Sequence, residues 1–298
     1  MRAFQARHGL LVDGLVGPET LAALNVPVTA RVATLRLNSA RLSAFKPLGQ
    51  SYLLVNIPGY EASMVRGATP VLKMRIVVGR PSWPTPQLNG VISRIVINPY
   101  WTVPYRILTK ELIPRLRRDP HQIAKQNMRV FSGWGPNARE LDPAKIDWHS
   151  PAARGYRLRQ EPGNGNALGR LKFVFDNPYS VYLHDTPAKH LFDRPARAFS
   201  HGCIRIEKPF ELALLLLKGQ SGWDAASLEA AIAAGRNRQA LLEQPLPIYL
   251  VYWTAWVDED GRVQFRPDLY RRDLAAVQNQ ENTLPEGLAA TQACDAAA

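Results

Sequence analysis

Short apolar and β-branched runs, each closed by turn residues, recur along this chain and limit its fold more than any other feature, because such runs must pair into a sheet. SYLLVNI (51–57), a short run near 60–66, VLKMRIVVG (71–79) and SRIVINP (93–99) follow one another closely and imply an antiparallel sheet. Strand character returns at LKFVF (171–175), SVYLH (180–184) and PIYLVYWTAWV (247–257). Helical spacing marks residues 30–46 as a connecting helix. A further helix enters at Glu207-Lys208-Pro209 and carries LALLLL, and another near 224–234 stops at Gly235. The expected fold class is α+β, mainly β with α.

Between Pro104 and Gly169 the character changes to TKELIPRLRRD, HQIAKQNMRVFSGWG and then a stretch rich in Gly, Pro, Arg and Asn. This reads as an insertion over about 105–169 with helices of its own. At the other end, AFQARHGLLVDGLVGPETLAALN (3–25) reads as the end of one helix, a turn on Asp13-Gly14 and Gly17, and a second helix from Pro18-Glu19-Thr20. Proline followed by glutamate suits a first helical turn. Beyond about residue 268 the polar, Ala-rich end has little to bury. The longest apolar run, LALLLL at 212–217, has the length of a core helix and not of a membrane span. A net charge of +12 favours polyanions such as nucleic acid, anionic lipid or an acidic envelope polymer. No basic motif with interleaved stacking aromatics is present, so nucleic acid is not the expected partner.

With two cysteines, Cys203 and Cys294, no disulfide framework holds the fold. Cys294, in TQACDAAA, reads as a bystander thiol. Cys203 lies in FSHGCIRIEKP, in a glycine-containing turn before a strand, and His184 ends the strand of VYLHDTP. Side chains placed at strand ends beside turns can project into a cleft. A cysteine attacks as thiolate, and a neighbouring imidazole is the usual means of taking its proton. Spacing alone leaves open a small buried cysteine with no chemistry. His8, His121, His149 and His190 have no metal-ligand spacing and read as surface or structural, so neither metal nor cofactor is expected.

SHGCIR together with HDTP resembles the active-site signature of the L,D-transpeptidases with a YkuD-type domain. NPYWTVP (98–104), RLRQEPGNGNALGRLKF (157–173) and NPYSVYLHDTPAKHLFDRPARAFSHGCIRI (177–206) resemble the larger, capped subfamily. FQ, HGL, DG and VGPETLAAL are similar to the second half of a common peptidoglycan-binding module. The resemblance implies a partial module over 1–28, the connecting helix over 29–49, a YkuD-type β-sandwich catalytic domain over 50–268 with 105–169 as its cap, and a tail over 269–298.

It further implies Cys203 as nucleophile, His184 as general base with the Asp185 carbonyl as its orienter, and N–H groups of Gly202 and Cys203 as oxyanion donors. Arg205 would order the site or hold a substrate carboxylate, a structural ion pair being the alternative. Tyr182 and Trp101 would line the donor groove, or else pack in the core. Ser200 is expected at the substrate, and His201 in a supporting role. The implied activity is 3→3 cross-linking of peptidoglycan stems, donor tetrapeptide to acceptor stem, by a carbapenem-sensitive monomer. Hydrolysis, protein anchoring by the same chemistry, or wall binding without catalysis are the alternatives. The expected location is the periplasm or cell envelope, with the export signal outside this sequence.

Overall fold

The structure is a computed structural model that describes residues 1–276. Cys294 and most of the expected tail lie outside the described residues. The chain divides into two compact units, Met1–Lys46 with the residues from Tyr252 onward, and Pro47–Val251.

In the first unit, helices Arg2–Arg7 and Pro18–Leu24 flank the expected turn, and proline occupies the first turn of the second helix. Gln5, only 1% exposed, holds that turn. Its amide donates to Asp13 Oδ1 (2.7 Å) and Leu15 O (2.9 Å) and accepts from Gly14 N (2.8 Å). The helix Val28–Ala44 is part of this unit. Asn38 donates to Thr254 Oγ1 (2.7 Å) and accepts from Thr254 N (2.9 Å). Among the described residues, strands Ala255–Val257 and Val263–Phe265 pair with each other and pack in this unit with the N-terminal helices.

The second unit contains β1 (Ser51–Asn56), β2 (Glu61–Arg66), β3 (Thr69–Gly79), β4 (Leu88–Ile97), β5 (Trp101–Thr102), β6 (Met128–Phe131), β7 (Glu140–Leu141), β8 (Arg157–Gln160), β9 (Leu171–Phe175), β10 (Leu183–His184), β11 (Ala198–Ser200), β12 (Ile204–Ile206) and β13 (Arg238–Val251). Nine of them form one sheet in the order β11-β3-β12-β10-β9-β4-β13-β1-β2, and β2 pairs back onto β3. The eight strands from β3 round to β2 therefore close on themselves like a barrel, leaving no edge among them, and β11 is appended beside β3. A single closed sheet replaces the expected two-sheet sandwich. The sheet is also mixed, since β1–β13, β10–β12 and β11–β3 are parallel pairs. The β10–β12 pair is parallel because the chain returns through the 3₁₀ turn Lys189–Asp193 and β11 before β12 begins.

Alternation along the strands sends Leu53, Val55, Ile76, Ile95, Phe173 and Ile248 inward with no exposure. β13 starts well before the expected PIYLVYW run, and its register shifts between Leu241 and Leu246, around Pro245. A bulge accommodates a proline that a regular central strand would reject. Over 180–184 only Leu183 and His184 join the ladder. Ser180 has φ of 55°, and Asn177 donates to Phe175 O (2.9 Å) and Val181 O (2.7 Å), so the residues before β10 form a side-chain-braced turn.

The insertion builds a second, four-stranded sheet, β5-β8-β6-β7, beside a helix over 105–116 interrupted by a π turn, Leu108–Leu112. Val103, Leu108, Leu116, Val130, Trp148 and Leu158 give it a core of its own. Its helices match the sequence reading, whereas its strands are additional.

Candidate active site

The site grows from three adjacent strands. His184 on β10 stands opposite Lys172 on β9 and opposite Arg205 on β12, and Ile204 N donates to Tyr182 O at 3.1 Å. Because side chains alternate along a strand, Leu183 and Ile204 enter the core while Tyr182, His184, Cys203 and Arg205 share the other face. The sequence motifs holding His184 and Cys203 are thus brought side by side by sheet register.

The turn before β12 is held from both sides. Ser200, 2% exposed, donates to Cys203 O (2.6 Å) and accepts from Gly202 N (3.1 Å). Its hydroxyl is spent within the turn, away from the substrate contact expected of it, and the Gly202 N–H is already engaged. The Cys203 N–H, by contrast, meets no acceptor among the described residues and remains available to an oxyanion. Thr85, fully buried, accepts from Gly79 N (2.9 Å) and donates to Gly202 O (2.9 Å). Gly202 has φ of 111°, a region closed to most side chains. Gly79 must be glycine for another reason: a Cβ there would stand 2.0 Å from Trp83 O and 3.1 Å from Gly202 Cα.

His184 is 3% exposed, and its Nδ1 donates to the Asp185 carbonyl at 2.5 Å. That contact fixes the tautomer that leaves Nε2 as an acceptor. Burial pushes the imidazole down to about 3, positive Arg205 and Lys172 add to this, and the carbonyls of Asp185 and Leu168 oppose it. Asp185 is itself locked, its carboxylate accepting from Arg170 N (2.8 Å) and pairing with Lys189 Nζ (2.6 Å). The free thiol of Cys203 is partly buried, with Sγ 3.9 Å from Ser180 O. Burial pushes it above the ordinary thiol value, while Tyr182, Lys172 and Arg205 pull it down.

Arg205 has no carboxylate partner among the described residues, and its buried Nε is unsatisfied. It lines a cleft of about 560 Å³ together with Trp101, Gln160, Asn166 and Thr186. Trp101 reaches the cleft from β5, whereas Tyr182 touches both other groups, its ring 5.7 Å from the imidazole and its hydroxyl hydrogen-bonded to Cys203. His201 turns from the thiol toward the insertion, with Nε2 2.7 Å from Glu111 Oε1 and its ring edge-on to Trp83 at 4.9 Å. Among the described residues no three His, Cys, Asp or Glu side chains converge to hold a metal. The sequence reading passed over Lys172, Glu111, Thr85 and Gly79. Lys172 carried a faint signal, a lysine amid the apolar strand LKFVF, while the other three carried none.

A closed β-sheet that presents a thiol and a backbone-held imidazole on one face has the groups that cysteine chemistry would require. The chain belongs to the YkuD family, the L,D-transpeptidase catalytic domain, whose model matches residues 50–222. Residues 1–24 match a model for a candidate peptidoglycan binding domain, PG_binding_1. A candidate L,D-transpeptidase of Haemophilus influenzae is 36% identical over 240 residues, which cover 80% of this chain. The chain spans about half of that relative's length, 48%. Among solved structures, an L,D-transpeptidase from Mycobacterium smegmatis is 12% identical and matches 68% of this chain and 59% of its own, with a TM-score of 0.31. L,D-transpeptidase 3 from Mycobacterium tuberculosis is 10% identical, matching 68% of this chain and 61% of its own with a TM-score of 0.32.

Proposed function

We propose that this chain is an L,D-transpeptidase of the cell envelope that forms 3→3 cross-links between diaminopimelate residues of peptidoglycan stems. The observation that carries the reading is the shared face of Cys203, His184 and Arg205, with His184 Nδ1 held by the Asp185 carbonyl so that Nε2 can take a proton. The donor is a tetrapeptide stem ending in diaminopimelate and D-alanine. As the Cys203 sulfur attacks the carbonyl at the L-centre of diaminopimelate, its proton passes to His184, the carbonyl oxygen takes the charge beside the Cys203 N–H, and His184 returns the proton to the departing D-alanine amine. A thioester remains. The side-chain amine of a neighbouring stem then attacks it, His184 takes that amine's proton, and the thiol is regenerated as the amide forms. Arg205, unpaired at the edge of the cleft, suits a donor carboxylate. The same thiol would be acylated by carbapenems.

The insertion, whose Lys125, Asn127 and Gln160 line the cleft, would act as a cap that excludes water and favours the amine acceptor. Water as acceptor gives an L,D-carboxypeptidase, a protein amine gives anchoring, and a vestigial thiol leaves a wall-binding protein. Incubation with disaccharide-tetrapeptide followed by mass analysis separates these readings, with wild type, Cys203→Ala and His184→Ala compared. The expected products are free D-alanine and a 3→3 dimer, both abolished by Cys203→Ala. Release of D-alanine without dimer would replace transfer by hydrolysis, and absence of turnover would leave wall binding.

A further inference from the structure

Lys172 is the second residue of β9, opposite His184 on β10 and Val96 on β4, and therefore projects onto the face that carries the thiol. Its ammonium sits 3.8 Å from the centroid of the Tyr182 ring, and the Tyr182 hydroxyl and N–H both point at the Cys203 sulfur. The groups that face Lys172 are Tyr182 and His184 from β10, Arg94 from β4, and Cys203 and Arg205 from the turn and β12. None is a carboxylate, and Lys172 has no ion pair among the described residues.

A partly buried ammonium with no anion is costly, and stacking on an aromatic ring offsets only part of that cost. With Arg205 also unpaired beside it, the face carries positive charge that no protein anion balances. Of the groups around Lys172 that can become anions, Cys203 and Tyr182, burial pushes the Tyr182 hydroxyl well above its ordinary value, which leaves the Cys203 sulfur as the more accessible anion. We infer that Lys172 is the counter-cation of the Cys203 thiolate, stabilising the sulfur's charge once the proton has gone to His184. The inference rests on Cys203 being the nucleophile.

The direction of the titrations agrees: Lys172 lowers the thiol against the upward push of burial, and the sulfur in turn raises a lysine that burial lowers. The geometry also gives the ring a purpose, since it holds the ammonium in place while the sulfur is still neutral. Lys172 thus acts on the attack itself, whereas Arg205 opens toward the cleft.

The test is the pH dependence of alkylation of Cys203 by neutral iodoacetamide, followed by intact mass on the full chain carrying Cys294→Ser. Lys172→Met preserves length and apolar packing, and Lys172→Gln serves if that variant does not fold. Loss of the charge is expected to move the alkylation midpoint upward by about one pH unit, roughly tenfold slower reaction at a fixed pH below it. Lys172→Arg should restore most of the shift. An unmoved midpoint overturns the inference. An unmoved midpoint with a raised KM for the tetrapeptide would instead make Lys172 a carboxylate-binding group. A wild-type Cys203 that forms no acyl adduct with the tetrapeptide would sink the nucleophile reading, an outcome distinct from both.

Discussion

At the residue scale the buried imidazole is the most exposed to test. His184 titrates near 3 in the folded protein and near 6.5 in the unfolded chain, so the unfolded state takes up the proton first as pH falls. Its contribution to stability is complete above pH ~6.5 and is lost progressively toward about 3, at no more than ~1.4 kcal/mol per pH unit. His184→Gln removes that linkage. Between pH ~7 and ~4, urea melts should therefore show wild type losing about 3 kcal/mol more than the variant; parallel losses would mean that the imidazole is not desolvated. Gly79 offers a steric test of the turn. A methyl there meets the Trp83 carbonyl at 2.0 Å, so Gly79→Ala should cost on the order of 2 kcal/mol and slow formation of the acyl-enzyme. Gly133→Ala, with nothing within 4 Å of the added methyl, is the control and should change neither.

At the scale of elements, the contact to test is the one between the insertion helix and the turn that carries Cys203. The π turn Leu108–Leu112 carries Glu111, which pairs with Arg80 and lies 2.7 Å from His201 Nε2, two residues before Cys203. π turns are rare and concentrate at functional sites. Glu111→Ala leaves Arg80 and His201 without their acceptor and should cost about 1–3 kcal/mol with a fall in kcat. The double variant with Arg80→Leu should lose less than the sum of the single variants, as thermal melts would show; additive losses would mean that the pair is not coupled. Elements also decide what was legible in the sequence. LKFVF is a strand over the same residues, because its apolar alternation is local. The first half of β13 was missed because RQALLEQ looks polar, although its alternate residues are buried. The short strands of the insertion have too few residues for a period to show. The same limit governs the site. Cys203, His184 and Arg205 sit in short recognisable segments, whereas Thr85 supports Gly202 from 117 residues away, a pairing that no local pattern encodes.

At the scale of the whole molecule, net charge bears on association rather than on the fold. A net charge of +12 does not select a fold, but it draws the protein toward an acidic polymer. If envelope polymer is that partner, attraction should be long-ranged and screened. Sedimentation with purified peptidoglycan sacculi should show the bound fraction falling as NaCl rises from about 0.01 M to about 1 M, over which the screening length shrinks from about 30 Å to about 3 Å. Cys203→Ala should follow the same curve, since its charge is unchanged and binding precedes acylation. Retention that ignored salt would shift binding to short-range contacts, for which residues 1–24, the stretch matching a candidate peptidoglycan binding domain, are the first place to look. Substitutions of Leu21 and Val28, large apolar side chains left exposed in that unit, would then weaken retention at every salt concentration, whereas charge reversals on the second unit would not.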